Sequence, residues 1–344
     1  MRWSIHRLLA PFAALLLLAA ACGDDSETSP AAEPAEPAEP AEPAEPAEPA
    51  ELRVGLALNG PADDGGYNQS YFDGLNSVVE KYGLTVAVQE NASDPAQTVD
   101  ALRNLASGND LVIAAGGQFA EAGTIVAPEF PDVEFAIVNG QTSDAPNLHA
   151  FAVHTGYPAY AAGVALAALT ETNKVGFIGG LEIPPTFQAE SGFFAGIGAT
   201  DPDVETVSTF TGDYEDIALA KEAAVAQIAA DVDVIYAYVN AAIEGVIQAV
   251  EESGADVRVV SVIFPRCDRS EQLFGTGTLS SGGQVDTIVG SFIEGTLPTE
   301  KVIWGVEDPS IQTFLLCPAH SEADLEQTVA DSLAALAAGQ IEIP

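Results

Sequence analysis

Basic residues are scarce in this chain. Eleven lysines and arginines stand against 51 acids, a formal net charge of −40. Ten of those acids lie in residues 22–51 and two of the basic residues in residues 1–21, so the part from Leu52 onward stays near −32. A surface of that sign repels phosphate, which excludes nucleic acid as a partner. The acidity fits either a salty habitat or a demand for solubility. Cysteine is nearly absent too, with three in all. Histidine is limited to four, none spaced with a cysteine as a metal pair would be. Beyond the first residues no run of 18 apolar residues occurs, which leaves no other candidate for a membrane-spanning helix. Nucleophile-elbow motifs and clearly paired catalytic carboxylates are also missing, which argues against a hydrolase. No cofactor is called for.

The N-terminal residues suggest export. Arg2 and Arg7 precede an apolar run from Leu8 to Ala21, interrupted by Pro11 and too short for a comfortable span. It ends LAAAC, small residues before Cys22, and looks like a bacterial lipoprotein signal in which the cysteine is lipidated. One departure is that Ala19 stands three places before Cys22, where leucine is usual, with Leu18 one place further back. A soluble secreted protein with a spare cysteine is the plainer alternative. Stable anchoring by lipid needs more than one acyl chain. From Gly23 to Glu51 the chain turns to Asp, Glu, Ser and a repeated AEP triplet. It has no apolar face to bury, and its prolines favour an extended tether of about 3.1 Å per residue. Export also implies an oxidising compartment, where the remaining Cys267 and Cys317 are expected to pair. The bridge would close a loop of about 50 residues and contribute roughly 4 kcal/mol on the chain-entropy account.

From Leu52 short apolar stretches alternate with helical ones. RVGLAL, LTVAVQ, DLVIAAG, EFAIVNG and LHAFAVH read as strands. The pattern then restarts with KVGFIGG, VETVSTF, DVDVIYAYV and VRVVSVIF. Continuous apolar strands separated by helices predict parallel sheets covered on both faces. Two such sets predict two lobes, and the chain divides as a leader at 1–21, a tether at 22–51, lobe one at 52–153, lobe two at 154–262 and a shared segment at 263–344. Ligands of such sheets bind at the carboxyl ends of the strands. One loop there, DDGGYNQ, joins the first strand to the first helix. Its glycines would let backbone approach a ligand, and Asn68 could equally serve as a helix cap. Asp63 and Asp64 are candidates for an acid–base pair, although adjacent loop acids are usually solvated. Gln118, Tyr238 and Asn240 follow or end strands, and Phe187 and Gln188 open a helix, so each is a cleft candidate as well as a packing residue. Tyr71 and Phe72 sit at core spacing.

Four segments together resemble the basic membrane protein family of ABC-transporter substrate-binding lipoproteins. They are DDGGYNQSYFDGL, FPDVEFAIVN, the block AGVALAALTETNKVGFIGGLEIPPTFQAESGFFAGI and the end LAALAAGQIEIP. The resemblance covers nearly all of 52–344 and implies an α/β, type I periplasmic-binding-protein fold. Two doubly wound lobes would be joined by a hinge, with the ligand in the cleft. It further implies purine nucleosides as the best-known ligands, held by stacked aromatics with acids and a lysine on the sugar. Tyr67 and Asn68 match the family's aromatic-Asn pair, and Tyr214 falls at a second aromatic position. Asn59 and Asn139 stand where nucleoside binders often carry Asp, and Gly283 where the lysine is expected. An amide both donates and accepts where an ionised carboxylate only accepts, so the expectation is a nucleoside or another small heteroaromatic or polar solute. The expected partners are that solute, a permease with its ATPase, and the membrane through the lipid alone, for a protein acting as a monomer. A sensor that binds without import, or a hydrolase on the same scaffold, are the alternatives.

Overall fold

The structure is a computed structural model that describes residues 52–143 and 146–343. The proposed leader, Cys22 and the AEP tether lie outside the described residues. Among the described residues no helix is long and apolar enough to cross a membrane.

Seven residues, Leu52–Leu58, form strand β1, whose last five positions are buried. They pair in parallel with β2 (Leu84–Gln89) on one side and β3 (Leu111–Ala115) on the other. Strands β4 (Glu134–Val138), β5 (Leu148–Val153) and β11 (Val302–Trp304) extend the sheet in the order β11-β5-β4-β3-β1-β2. Every pair in it is parallel. Continuous apolar strands such as LVIAA are buried on both faces, as a helix-covered parallel sheet requires. The covering helices include α1 (Tyr67–Tyr82), α2 (Pro95–Ala106) and α3 (Ala120–Val126). Helix α2 starts where the sequence tells it to. Asp94 accepts from the amides of Ala96 and Gln97, Gln97 closes a capping box, and Pro95 takes the first turn.

The second sheet has β6 (Lys174–Gly179), β7 (Glu205–Phe210), β8 (Val234–Tyr238), β9 (Arg258–Ile263), β10 (Leu273–Leu279) and β12 (Gln312–Leu316). Its order is β12-β10-β9-β8-β6-β7, with β12 antiparallel to β10. Helices α4 (Gly156–Ala167) and α5 (Pro184–Thr200) cover one face, and α6 (Ile217–Ala229) and α7 (Ile243–Ser253) pack together. The AGVALAALT…SGFFAGI block has a packing reason. A Cβ on Gly163 would lie 2.2 Å from the Phe193 carbonyl, and one on Gly196 2.2 Å from that of Tyr160. Only glycine lets α4 and α5 approach so closely.

Each order reverses about one strand, β1 in the first sheet and β6 in the second. Crevices open at such reversals, beyond the carboxyl ends of the strands. The chain passes between lobes three times: after β5 at His154, after β10 at Ser280, and between β11 and β12. The second lobe therefore runs on through β10 to Leu279, past the expected division at Val262. Helix α8 (Ser281–Glu294) returns to lobe one and packs on α1. There Ser70 and Ser281 hydroxyls meet at 2.6 Å, and Tyr71 Oη donates to Gln284 Oε1 at 2.5 Å. The helices nearly touch, since a Cβ on Gly74 would sit 2.8 Å from the Gly282 nitrogen.

The three crossings are tied to one another. The His154 amide donates to the Trp304 carbonyl at 3.0 Å and the Ser280 amide to that of Ile311 at 2.7 Å. Buried Gln312 donates through Nε2 to the Trp304 carbonyl at 3.1 Å. This bundle of short straps is the hinge.

Cys267, in the loop after β9, is bonded to Cys317, just beyond β12, with Cα atoms 5.4 Å apart. Replacing both by serine should lower stability by about 2–4 kcal/mol without changing the fold. Denaturant titration of the oxidised wild type and the double variant checks this. Equal midpoints, or two free thiols in protein made in an oxidising compartment, would contradict it.

Candidate functional site

The loop Gly60–Gly66 leaves β1 and enters α1, whose first-turn amides need acceptors. Asp64 supplies them. Its Oδ1 accepts from the Gly66 amide at 2.9 Å and the Gln69 amide at 3.0 Å. Its Oδ2 accepts from the Asn68 amide at 3.0 Å and Asn68 Nδ2 at 2.9 Å. A carboxylate at a helix N-terminus is also favoured by the helix dipole. Asp64 is thus a half-buried cap for α1, while Asp63 is exposed. The two acids have separate surroundings, and an acid–base pairing has no support here. Gln69 closes the loop from the other side, Oε1 accepting from the Gly65 amide at 3.1 Å. Gly65 has φ +67°, a left-handed turn natural to glycine.

Asn68 is buried and turned inward. Besides donating to Asp64, it accepts from the Gly60 amide at 3.3 Å. One N–H and one lone pair remain, so its main work is holding the loop, and the cap-like alternative for this residue is the stronger.

Tyr67, held by this loop, lies partly buried at the cleft. Its ring meets Tyr71 edge-on at 4.9 Å, and its hydroxyl accepts from Asn139 Nδ2 at 3.2 Å. Burial pushes the Tyr67 hydroxyl well above its ordinary range, so it remains a neutral donor at any physiological pH. Asn139 follows β4 at φ +58°, a conformation asparagine tolerates. Asn59, after β1, points Nδ2 toward Gln118 Oε1 at 3.4 Å, and Gln118 itself is exposed. Asn59, Tyr67, Gln118 and Asn139 therefore gather at the carboxyl ends of β1, β3 and β4.

Lobe two brings Tyr214, Tyr238 and Asn240 to the carboxyl ends of its own strands. Tyr214 lies over Gly180, where a Cβ would come within 2.1 Å of its ring, and its hydroxyl meets that of Thr186 at 2.6 Å. It stands edge-on to Tyr238 at 6.4 Å. Burial first, and then its tyrosine neighbours, hold the Tyr238 hydroxyl far above its ordinary range. Asn240 is engaged elsewhere. Its Nδ2 donates to Glu215 Oε1 at 2.6 Å, and it packs on Gly66 of lobe one. A Cβ on Gly66 would fall 2.7 Å from Asn240 Cγ, so the second glycine of DDGGYNQ permits close contact between the lobes. Desolvation raises the Glu215 carboxyl above its ordinary value, opposed by bonds from Asn240 and the Ala241 amide and reinforced by Asp64 and Asp213.

Gln188 is partly buried and accepts weakly from Thr155 Oγ1 at 3.4 Å, while Phe187 is exposed against Phe210. Gly283 sits in the first turn of α8, where a Cβ would be 2.6 Å from the Ser310 carbonyl. A lysine there would strike a hinge strap. Burial lowers His154, at the first crossing, from its ordinary value.

Sequence reasoning missed Arg266. From lobe two its Nη2 donates to the Gly65 carbonyl at 2.9 Å. Its signal was present: it is one of very few cations, in a loop already marked by Cys267. Ile263, which ends β9 at φ +70°, was also missed. A β-branched residue in the left-handed region costs about 1–3 kcal/mol and persists only where its surroundings impose it.

The cleft's inner groups are amides and phenols, which can bond a polar planar solute on its edge and cover its face. Among the described residues no cluster of His, Cys, Asp and Glu could hold a metal ion.

A family model described as "ABC transporter substrate-binding protein PnrA-like" matches residues 51–323. The chain is similar to Basic membrane protein A of Borreliella burgdorferi, 24% identical over 61% of this chain and 62% of that protein. It is also similar to a Lactococcus lactis protein named "ABC transporter nucleoside-binding protein BmpA", 29% identical over 51% of each chain. The chain thus spans 51% to 62% of these relatives' length. Among solved structures, a solute-binding protein of an ABC transporter system from Conexibacter woesei superposes with a TM-score of 0.70 at 24% identity, covering 85% of this chain and 98% of that one. One from Aeropyrum pernix gives 0.74 at 20% identity, covering 85% and 92%. These likenesses identify the fold as that of type I periplasmic binding proteins.

Asp64→Ala should strand four donors at the start of α1 and lower stability by about 1–3 kcal/mol. A thermal melt with hydrogen exchange at residues 65–69 tests this. An unchanged melt and unchanged protection would mean that Asp64 does not hold the loop.

Proposed function

Because the chain belongs to the PnrA-like family of ABC transporter substrate-binding proteins, we propose that it captures a nucleoside, or a similar small heteroaromatic or polar solute, between its lobes. It then delivers that solute to a permease and its ATPase. The observation that carries this reading is the gathering of Asn59, Tyr67, Gln118 and Asn139 at the carboxyl ends of the strands about the reversal of the first sheet, with the Tyr67 hydroxyl accepting from Asn139 Nδ2. Tyr67 would cover one face of the solute ring. Asn59, Gln118 and Asn139 would bond its polar edge, and Tyr214 and Tyr238 would close the opposite wall. Asn68 and Asn240 would act behind this layer, one fixing the loop and the other fitting the lobes together. Closure about the hinge would exclude water, which strengthens each of these bonds, and would present one shape to the permease. The Lactococcus lactis relative, named as a nucleoside-binding protein, supports a nucleoside. The amides in place of acids favour solutes bonded through both donors and acceptors.

We further propose a lipid-anchored monomer on the extracytoplasmic face of the membrane, held through Cys22 and lifted away from it by the AEP tether. The basic start, the apolar run and the small residues before Cys22 support this.

Calorimetric titration with guanosine and inosine tests the solute reading. The wild type should bind at least one of them. Tyr67→Ala should weaken that binding at least tenfold, about 1.4 kcal/mol, with the fold intact. Unchanged affinity in the variant would move the site away from the loop. No binding of either compound by folded wild type would reject the purine nucleoside. For the anchor, Cys22→Ser should move the protein from the membrane to the soluble fraction. A wild-type chain already soluble after export would contradict it.

A further inference from the structure

The mouth of the cleft is spanned by a cation in a chain that has few. Arg266 lies in the loop after β9, on lobe two, and is partly buried. Its Nη2 reaches the Gly65 carbonyl on lobe one at 2.9 Å. Both ends of this contact are held in advance. On lobe one, the Gly65 carbonyl is aimed by a left-handed turn at φ +67°. That turn is stapled by Gln69 to the Gly65 amide and by Asp64 to the amides of Gly66, Asn68 and Gln69.

On lobe two, Ile263 at φ +70° turns the chain sharply out of the sheet, and Phe264, Pro265 and Arg266 follow it toward the mouth. The next residue, Cys267, is covalently tied to Cys317. The loop is thus anchored on both sides of the arginine. Arg269, its cationic neighbour, is engaged by Glu244 through Nε at 3.3 Å and Nη2 at 2.5 Å. Glu244 and Glu215 attract the Arg266 guanidinium and Arg269 repels it, and neither acid takes it away from the carbonyl. A recess of about 330 Å³ opens beside the contact, between Gln69 and Asp73 of lobe one and Phe264 and Arg269 of lobe two. Water can enter a space of that size and satisfy the remaining guanidinium N–H groups.

We propose that Arg266 is a closing latch, a positioning residue that grips the Gly65 carbonyl across the cleft mouth and holds part of the empty protein closed. Another interlobe contact, Gly66 against Asn240, lies at the adjoining residue and seats the lobes at the register the latch needs. A charge-assisted hydrogen bond to a preset acceptor fits this task, since its formation orders little that is not ordered already. A ligand that binds only the closed state then finds a fraction of that state waiting, which tightens its apparent affinity. The proposal rests on reading the interlobe cleft as the solute site, but its test needs no solute.

The test is double electron–electron resonance on the full chain, dialysed free of retained solute. Spin labels are placed at Asp100→Cys on lobe one and Gln248→Cys on lobe two, both exposed, with the native disulfide intact. With Arg266 present, a closed distance population should appear without any added compound. Arg266→Ala should cut it at least threefold. Arg266→Lys, which keeps the charge but not the planar fork, should fall between. Unchanged melting curves would show that the fold is not the cause. An equal closed population in Arg266→Ala and in the parent would overturn the latch, and so would a parent with no closed population. Failure of nucleosides to bind would leave this readout standing, so the two ideas fail separately.

Discussion

The bonds that Asp64 accepts at the start of α1 are the constraint on which the rest of the site depends. They satisfy amides that a helix otherwise leaves open, and they do so from a loop that could not order itself, being glycine-rich and polar. With the loop fixed, Tyr67 is delivered to the cleft and Asn68 is turned inward. The Gly65 carbonyl then faces lobe two and Gly66 receives Asn240. One carboxylate thus connects helix capping, ring placement and the fit between lobes. The paired glycines serve the same end, the first by its positive φ and the second by having no side chain.

A binding protein of this architecture must be rigid within each lobe and yielding between them. Rigidity comes from parallel sheets buried on both faces and from helices in near backbone contact, α4 on α5 through Gly163 and Gly196. Yielding is confined to three straps bonded to one another, with Gln312 buried among them. Small rotations about such straps move the mouth far more than the hinge. At the mouth the lobes meet through Arg266 on the Gly65 carbonyl and Asn240 on Gly66.

Much of this was legible in the sequence. LTVAVQ is β2 to the residue, and the other early strands fall within a residue or two, because buried parallel strands are continuous apolar runs. The passage of α8 back to lobe one was not legible. It depends on the near contact of Gly74 with Gly282, 208 positions on, which no local pattern encodes. Strand β10, LFGTGTL, hides its character behind two glycines, and β11 is three residues long. At the site, residue types were read better than roles. Tyr67 and Asn139 lie in hydrogen-bond contact, whereas the amides of Asn68 and Asn240 are occupied by Asp64 and Glu215. Their side chains have the right chemistry for a ligand, and only the partners reveal that other groups claim it. Arg266 stood out in the sequence only as a rare cation, because its partner Gly65 lies 201 positions away.

Native mass spectrometry of the purified protein tests the central claim, that the solute lies between Tyr67 and lobe two. The account predicts that the wild type carries a bound small heteroaromatic or polar compound, either retained or acquired from a nucleoside mixture, and that Tyr67→Ala loses it. A compound held equally by both proteins would contradict it.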